Sequence, residues 1–306
     1  MLPPPNHCLH LLTLVLSSAA RRRRLFTLSQ SEEGSGGKKH LATMENKTGE
    51  TSGTSPPQKR NAFAAMLEAS KKSEGGTKSS KQMKLEDDMA ADAEKFEKLL
   101  TDMKAKPADD FCLCIISKGR SGNVKKMRAL CTPAEPIFVV AKGEEADYRA
   151  AGAQQVVEGG KLCASRNRCI ALAAERNKIC CEMSDDLKSV RVMVQPDGTT
   201  WEKPADLSAA NKVAATMDSY HVSALNAARY LECFMREEST HLGGAFPTPN
   251  DGQAVMTQPT SKELFVVGDF LVINPASTPR FDELMTLKED YDLTAQHLAT
   301  YKKVRR

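Results

Sequence analysis

The amino-acid sequence predicts an α/β protein whose mostly parallel, open sheet is flanked by helices and preceded by a disordered N-terminal tail. Two observations predict this fold class. From Phe111 onward, short apolar runs alternate with amphipathic segments, which is the pattern of βαβ units around a parallel sheet. Residues 32–84, in contrast, are rich in Ser, Gly, Thr, Lys and Pro, so they bury too little apolar surface to offset the entropy of ordering.

Charge is distributed unevenly along the chain of 306 residues. Residues 1–108 hold 18 Lys or Arg against 13 Asp or Glu, whereas residues 109–306 hold 25 against 26. A protein that grips duplex nucleic acid tightly usually shows a basic face. The near-neutral globular part therefore predicts that any contact with nucleic acid is local or comes from the tail.

The nine cysteines are odd in number, and several lie inside apolar runs, where a thiol packs as a small hydrophobe. Cys112 and Cys114 are separated by one residue, which is the spacing of neither a zinc knuckle nor a redox pair. The cysteines therefore predict a reduced intracellular protein and argue against a zinc site.

Two interpretations of residues 1–31 stay open. This stretch contains no acidic residue and carries the basic block from Arg21 to Arg24, which is typical of an organelle transit peptide. Its charges follow the apolar piece at 9–16 instead of preceding it, which is the wrong order for a secretory signal, and that piece is too short to span a membrane. Alternatively, translation begins at Met44 and the preceding residues are an extension of the gene model.

The predicted linker at 32–84 contains a short segment, residues 59–72, that differs from its surroundings. Phe63, Met66 and Leu67 have the spacing of one helical face, and a basic pair stands on each side. Such a segment can fold into the groove of a partner protein, or it is a fortuitous helical island. The basic pairs also form a weak nuclear signal.

Residues 85–108 are predicted to form a helix that flanks the domain at 109–306. Three acidic residues open this helix and Lys104 closes it, as the helix dipole favours. An apolar stripe predicts that it packs on the edge of the following domain: Phe96, Leu99, Leu100 and Met103.

Within 109–306 the sequence predicts four strands in the first half: FCLCII, PIFVVA, a brief strand at 154–157, and the run from Ile179 to Met183. The helices between them are NVKKMRALC, EEADYRAAG and residues 164–177. Further on, VRVMV is predicted as a strand and residues 206–237 as predominantly helical. ELFVVGDFLVI predicts one or two strands around Gly268. The segment at 242–252 is rich in turn formers and is predicted as a long surface connection or an acceptor loop.

Asp185 and Asp186 directly follow the apolar run that ends at Met183. In an open α/β sheet, ligands bind in the crevice outside the carboxyl ends of the strands, where this pair would stand. Adjacent carboxylates repel each other unless a cation neutralises them, and hard oxygen ligands suit Mg²⁺ or Mn²⁺ that carries a diphosphate. The alternative is that the two aspartates solubilise a turn or cap a helix.

Two further segments predict an anionic ligand, and the second of them faces the same crevice. The turn SKGRSGNVKKM follows the first strand and combines Arg120 with amides at a helix start, although it lacks the phosphate-loop and dinucleotide fingerprints. Arg166 and Asn167 stand in the first turn of the helix predicted at 164–177. Because an arginine near a helix start opposes the helix dipole, Arg166 indicates an anion nearby.

The acidic residues Glu289, Asp290 and Asp292 precede an amphipathic run near the C-terminus. They form either an ordinary acidic helix start or a site where a carboxylate removes the proton from an acceptor hydroxyl. The histidines have no ligand or triad spacing, and we interpret them as structural or surface residues.

Four segments of the chain resemble, in the same order, the family of TET/JBP-associated glycosyltransferases. They are IISKGRSGNV, GEEADYRAAGAQQVVEGGKLCASRNRCIALA, CCEMSDDL and LKEDYDLTAQHLATY, and the similarity covers residues 111–306. This resemblance implies a GT-A glycosyltransferase fold for residues 109–306 and a nucleotide sugar, a UDP-hexose, as the donor. It also implies a divalent cation, Mn²⁺ or Mg²⁺.

The same resemblance implies roles for individual residues. Asp185 and Asp186 would hold the metal-bound diphosphate, and Gly119 and Arg120 would lie beside the nucleoside. Donor contacts would come from Arg166 and Asn167. The catalytic base would be Asp290 or Glu289.

The family is thought to add sugars to hydroxymethylated bases, so hydroxymethylated cytosine or uracil in DNA is the implied acceptor. A DNA acceptor and a basic tail favour the nucleus, whereas a transit peptide at 1–31 would favour a mitochondrion or a plastid. Two alternatives stay open. The same fold could glycosylate a protein or a small molecule, or the domain could be a non-catalytic scaffold that recruits partners through residues 59–72.

Overall fold

The computed structural model describes residues 13–18, 80–195, 202–246, 250–256, 260–261 and 265–306. Its described strands are, in chain order, β1 (Thr13–Ser18), β2 (Phe111–Ser117), β3 (Ile137–Val140), β4 (Gln155–Glu158), β5 (Ile179–Ser184), β6 (Leu187–Val194), β7 (Asp218–Val222), β8 (Leu242–Gly244), β9 (Thr260–Ser261), β10 (Phe270–Ile273) and β11 (Val304–Arg305). The helices are α1 (Ser80–Asp102), α2 (Val124–Cys131), α3 (Glu145–Ala150), α4 (Leu162–Glu175), α5 (Leu207–Ala215), α6 (Ala224–Glu237), α7 (Asp251–Val255) and α8 (Glu289–Tyr301).

Two sheets organise these elements. The larger has the strand order β4-β3-β2-β5-β10-β8-β11-β9, and the smaller is an antiparallel sheet in the order β1-β6-β7. The predicted α/β class, with a mostly parallel sheet flanked by helices, is confirmed. The segment predicted at 59–72 and most of the linker at 32–84 lie outside the described residues.

The helix predicted at 85–108 is α1, which begins earlier, at Ser80, and ends at Asp102. The acidic residues that were expected to open it therefore lie inside it. Its apolar stripe is buried as predicted, because Phe96 and Leu100 are fully enclosed. The Phe96 ring lies 5.4 Å from the ring of Tyr230 on α6 and 5.6 Å from that of Tyr220 on β7, so α1 packs against the folded domain.

The strands β4, β3, β2 and β5 are parallel neighbours in that order. Alternate side chains of β2 enter two different cores: Phe111 and Leu113 pack with α2 and α6, whereas Cys112 and Cys114 pack with α4. The chain builds the sheet outward from β2 to β4 and then places β5 on the other side of β2. This reversal makes the junction of β2 and β5 a topological switch point, where open sheets bind their ligands.

Part of the loop predicted at 242–252 is instead a buried strand. Leu242–Gly244 form β8, which pairs with β10 and β11 inside the larger sheet. The prediction was wrong because two glycines give no strand signal. Packing requires them here, since a Cβ at Gly243 would stand 2.5 Å from Met235 Sδ and a Cβ at Gly244 would stand 2.1 Å from Val266 Cγ1. A surface connection with room to act as an acceptor loop is therefore excluded for this part of the segment.

The stretch predicted as predominantly helical, 206–237, is interrupted by a strand. Asp206 caps α5 and Ser223 caps α6, each accepting a hydrogen bond from an amide in the first helical turn. Between these helices, residues Asp218–Val222 form β7, which pairs with β6. The sequence DSYHV is short and polar, so its pairing with a neighbouring strand decides its conformation.

The eight cysteines in the described ranges are free thiols and are all buried. Gly268 is followed by one strand, β10, and no second strand is found in the described residues just before it. No helix in the described ranges is long and apolar enough to cross a bilayer.

Candidate functional site

The switch point brings together two of the segments that the sequence singled out. Ser117 is the last residue of β2 and leads into Gly119 and Arg120, while Ser184 is the last residue of β5 and leads into the acidic pair. Ser184 stands opposite Ile116 in the parallel register. The turn and the acidic pair therefore lie side by side at the carboxyl edge of the sheet.

Asp185 is fully buried and is fixed by a network of hydroxyl groups. Its Oδ2 atom accepts a hydrogen bond from the Ser117 hydroxyl, which also bonds the hydroxyl of Tyr148. Its Oδ1 atom lies 2.8 Å from Nη2 of Arg120. Burial raises the pKa of Asp185, while the Ser117 hydroxyl and the Arg120 guanidinium act in the opposite direction. Asp185 therefore holds one orientation and one cationic partner.

Asp186 is nearer the surface and completes the pair. Its Oδ1 atom accepts a 2.8 Å hydrogen bond from the Ser184 hydroxyl, and its Oδ2 atom lies 3.7 Å from Nη1 of Arg120. The Arg120 side chain is 49% exposed, compared with 13% for Asp186. The guanidinium consequently bridges both carboxylates and still presents an open edge to the crevice.

Lys126 is a cation of this cluster that sequence reasoning missed. It lies in the first turn of α2 and is half-buried. Burial lowers its pKa, while the charges of Asp186 and Asp185 act in the opposite direction. The signal that could have identified it is the basic pair that directly follows the glycine-containing turn.

The backbone at Gly119 is shaped for the turn. Its φ angle of +67° lies in the left-handed region that favours glycine. Its amide donates a 2.8 Å hydrogen bond to Oε2 of Glu144. This amide therefore has a partner within the protein, although the sequence predicted free amides here.

A second cluster is built around Arg166, which is buried in the second turn of α4. Arg166 was predicted in the first turn, but the helix begins two residues earlier than expected, at Leu162. The Arg166 Nη1 atom donates to the Glu182 carboxylate and, at 3.1 Å, to the carbonyl of Gly268. Its Nη2 atom donates to Oε1 of Glu289 at 3.1 Å. Glu182 was missed by sequence reasoning, although a single carboxylate in the apolar run ICCEM was the available signal.

The charges of this cluster compensate one another inside the protein. Burial raises the pKa of Glu182 to about 7, against the lowering effect of Arg166. Burial alone would lower the pKa of Arg166, but Glu182 and Glu289 outweigh it and raise that pKa above its ordinary value. Arg166 therefore stays cationic and is the counter-ion on which the buried Glu182 depends.

Asn167 binds the same part of the chain as its neighbour Arg166. Its side-chain amide donates to the carbonyl of Phe281 at 2.9 Å and to Oε1 of Glu283 at 3.1 Å, and its carbonyl accepts from the amide of Phe281. Arg166 and Asn167 were predicted to contact a donor. In the structure, Asn167 binds the segment that leads into α8, while Arg166 lies over the Phe281 ring of that segment and pairs with Glu289 at the start of α8.

The two candidate bases on α8 differ in their surroundings. Glu289 is buried against Arg166, whereas Asp290 is half-buried. The Asp290 Oδ2 atom accepts from the amide of Gly268 at 3.0 Å, and its Oδ1 atom accepts from the amide of Tyr291 at 2.9 Å. Of the two residues, Asp290 is the more accessible to solvent.

A turn at Gly268 and Asp269 joins the two clusters. Gly268 contacts both Arg166 and Asp290, while the carbonyl of Asp269 accepts a 3.0 Å hydrogen bond from the amide of Ser184. Ser184 immediately precedes the acidic pair. The structure thus brings all the predicted site segments to one end of the sheet and divides them into two adjacent groups.

His297 and His241 have structural roles, as the sequence predicted. His297 is fully buried and is hydrogen bonded to the Ser277 hydroxyl and the Leu293 carbonyl. His241 stacks on the ring of Tyr301, with the ring centroids 3.9 Å apart.

We expect Gly268→Ala to destabilise the protein by about 1–3 kcal/mol, since overpacking a close contact costs roughly this amount. A Cβ at this position would stand 2.4 Å from Nη2 of Arg166. The guanidinium cannot retreat without breaking its bonds to Glu182 and Glu289. Urea denaturation measures the change, with Gly122→Ala as the control, because a Cβ at Gly122 meets nothing within 4 Å. Equal unfolding midpoints for the two variants would contradict the close packing.

Whether Asp185 and Asp186 can hold a metal ion depends on the surroundings of their carboxylate oxygens. No group of three or more His, Cys, Asp or Glu residues suited to a metal ion occurs in the described ranges. Asp185 Oδ2 and Asp186 Oδ1 accept hydrogen bonds from the Ser117 and Ser184 hydroxyls. The other two oxygens form ion pairs with Arg120, and of these Asp185 Oδ1 is buried without a hydrogen-bond partner. As arranged, the residues present do not fit a divalent cation.

Comparison with known proteins identifies no family for this chain. No protein-family model, curated protein or solved structure matches it. The resemblance carried by the four segments stays a prediction, and function has to be inferred from the geometry of the two clusters.

Proposed function

We propose that this chain is a glycosyltransferase that uses a nucleotide sugar and binds the donor diphosphate in the crevice beyond β2 and β5. The observation that carries the proposal is the half-exposed Arg120 guanidinium, which two carboxylates hold at the switch point of an open sheet. Open α/β sheets bind nucleotides at this point. A guanidinium fork also matches the geometry of phosphate oxygens. The four-segment resemblance supports the same reading and favours a UDP-hexose as the donor.

In this proposal, Asp185, Arg120 and Lys126 have different roles in donor binding. Asp185 has no exposed surface and serves to orient Arg120. Arg120 and Lys126 then face the diphosphate and stabilise the negative charge that develops on it as it leaves. Electrostatic stabilisation of this kind is usually the largest contribution to such a reaction.

Asp290 is the proposed general base. It takes the proton of the acceptor hydroxyl as the hydroxyl oxygen bonds to the anomeric carbon of the sugar, while the bond from that carbon to the diphosphate oxygen breaks. The electron pair of the broken bond leaves with the nucleoside diphosphate. Direct displacement of this kind inverts the configuration at the anomeric carbon.

The resemblance also implies Mn²⁺ or Mg²⁺ at Asp185 and Asp186. Because their carboxylate oxygens already have partners in the protein, we assign no step of the reaction to a metal ion.

A hydroxymethylated base in DNA is the acceptor we propose, with the nucleus as the compartment. Tyr291 directly follows Asp290, and its exposed ring pairs with that of Phe265, with the centroids 4.7 Å apart. Leu284 and Leu287, a few residues earlier in the chain, are exposed as well. An enzyme that acts on a base must take it out of the stack and bind it on aromatic or apolar side chains. These exposed residues offer such a surface next to the proposed base.

We expect calorimetry to show that the full-length chain binds UDP-glucose and UDP. Arg120→Ala should weaken both by about 10- to 100-fold, the loss expected for a charge-assisted contact. Lys118→Ala is the matched control, because Lys118 is exposed in the same turn and has no contact with the acidic pair. If UDP, UDP-glucose and other UDP-sugars all fail to bind, the UDP-sugar proposal fails.

A further inference from the structure

We propose that Arg120 takes the place of a divalent cation in this crevice, so that the donor diphosphate is bound by Arg120 and Lys126 and needs no metal ion. The inference rests on the proposed function for the identity of the ligand. It departs from the expectation that the acidic pair holds Mn²⁺ or Mg²⁺.

The geometry of Arg120 is that of a bridging cation. Its Nη2 atom is 2.8 Å from Oδ1 of Asp185, and its Nη1 atom is 3.7 Å from Oδ2 of Asp186. Adjacent carboxylates repel each other unless a positive charge stands between them. Here the chain itself supplies that charge.

The remaining carboxylate oxygens are also engaged. The Ser117 hydroxyl donates to Asp185 Oδ2, and the Ser184 hydroxyl donates to Asp186 Oδ1. Both serines are the last residues of central strands, so the sheet fixes their positions. A hard cation binds through several carboxylate, carbonyl or water oxygens, and these carboxylates would have to lose their present partners to join such a shell.

The backbone holds Arg120 at this position. Its amide donates a 3.1 Å hydrogen bond to the hydroxyl of Tyr148, and its carbonyl accepts from the amide of Asn123 at 2.9 Å. Its partner Asp185 is fully buried and would lose its ion-pair partner if the guanidinium withdrew. The ion pairs of Arg120 with the two aspartates are therefore part of the folded structure of the site.

The open edge of the guanidinium suits an anionic ligand. A guanidinium carries five N–H donors, and the two carboxylates occupy one side of it. With nearly half of the side chain exposed, the other side can bind phosphate oxygens. Lys126 adds a second positive charge, so two cations balance the two aspartates and the acidic pair does not repel an approaching diphosphate.

The test is calorimetric titration of the full-length chain with UDP, in excess EDTA and again with saturating Mn²⁺. We expect the two dissociation constants to agree within about twofold, a difference of less than 0.5 kcal/mol. Asp186→Asn removes a negative charge beside Arg120 and should therefore bind UDP in EDTA at least as tightly as wild type, whereas a metal-dependent site would lose UDP binding. Arg120→Ala should weaken binding in EDTA by at least about tenfold, and Arg120→Lys should restore part of the loss.

A second readout needs no nucleotide. Electron paramagnetic resonance of Mn²⁺ mixed with the chain should show the undiminished signal of the free ion. Circular dichroism checks that each variant is folded before it is compared with wild type.

The outcomes separate the two proposals. UDP binding that appears only with Mn²⁺ and is lost in Asp186→Asn would overturn the metal-independent site but leave the nucleotide-sugar proposal standing. UDP binding in EDTA that Arg120→Ala leaves unchanged would overturn the role of Arg120. Absence of UDP binding in both conditions would instead remove the proposed function.

Discussion

Replacing Arg166 with methionine is expected to lower the free energy of unfolding by about 3–5 kcal/mol, the usual cost of leaving a buried charge without its partner. Methionine fills a similar volume, so the loss comes mainly from the charge. Glu182 would remain fully buried, and Glu289 would lose its only described ion-pair partner. The segment leading into α8 would lose one of its contacts with α4, while those of Asn167 and Cys163 would remain.

The pH dependence of this loss identifies its cause. Burial raises the pKa of Glu182 from 4.5 to about 7, so its favourable contribution is complete below pH 4.5 and is lost as the pH rises through about 7. Arg166 lowers the pKa of Glu182, so its removal raises that pKa further. The loss of stability then continues to higher pH. We therefore expect a larger difference between wild type and variant at pH 8 than at pH 5, measured by urea denaturation.

Arg168→Met is the matched control for the same helix. Arg168 pairs with Glu175 at 2.7 Å, but both side chains are exposed, and such pairs contribute about 0–1 kcal/mol. Similar unfolding free energies for the two variants would show that the buried cluster does not depend on Arg166.

Asp290→Asn is expected to lower kcat for sugar transfer by about 10²- to 10⁴-fold, the range for loss of a general base. The asparagine carbonyl can still accept from the Gly268 amide and loses only the bond from the exposed amide of Tyr291, so the turn at Gly268 should keep its position. UDP binding should consequently be unchanged, which separates a catalytic defect from a structural one. The assay follows transfer from UDP-glucose to single-stranded DNA that contains hydroxymethylcytosine or hydroxymethyluracil.

Asp292→Asn serves as the control for this prediction. Asp292 lies in the same helical turn, where its carboxylate accepts a hydrogen bond from Gln296. Its replacement should change kcat by less than about threefold, since it has no proposed role in proton transfer. Transfer at the wild-type rate by Asp290→Asn would mean that another group removes the proton.

The core of the sheet could be predicted from local pattern because its strands are short apolar runs between helices. The run Ile179 to Met183 and the strand from Phe111 both formed where the alternation predicted them. Their relative order does not follow from local pattern, since the same connectivity allows β5 to lie beside β4. Only the structure shows that β5 lies beside β2 and places Asp185 next to the turn at Arg120.

The second cluster could not be predicted, because its partners are distant in sequence and buried by packing. Arg166 at a helix start indicated an anion, and the anions turned out to be Glu182 and Glu289 of the same chain. Local pattern cannot distinguish a carboxylate of the protein from a phosphate of a ligand. The strands β7 and β8 were missed for a related reason, since their neighbours, more than their own residues, make them strands.

The buried cysteines can serve as natural probes of local opening on each side of the sheet. Cys112, Cys114 and Cys180 belong to the core under α4, whereas Cys131 and Cys181 belong to the opposite core under α2 and α6. A thiol reagent can label them only when the protein around them opens transiently, and different parts of a protein open with different free energies. Labelling rates of the individual cysteines, resolved by mass spectrometry, would therefore measure the opening of the two faces of the sheet separately. No probe has to be introduced by mutation.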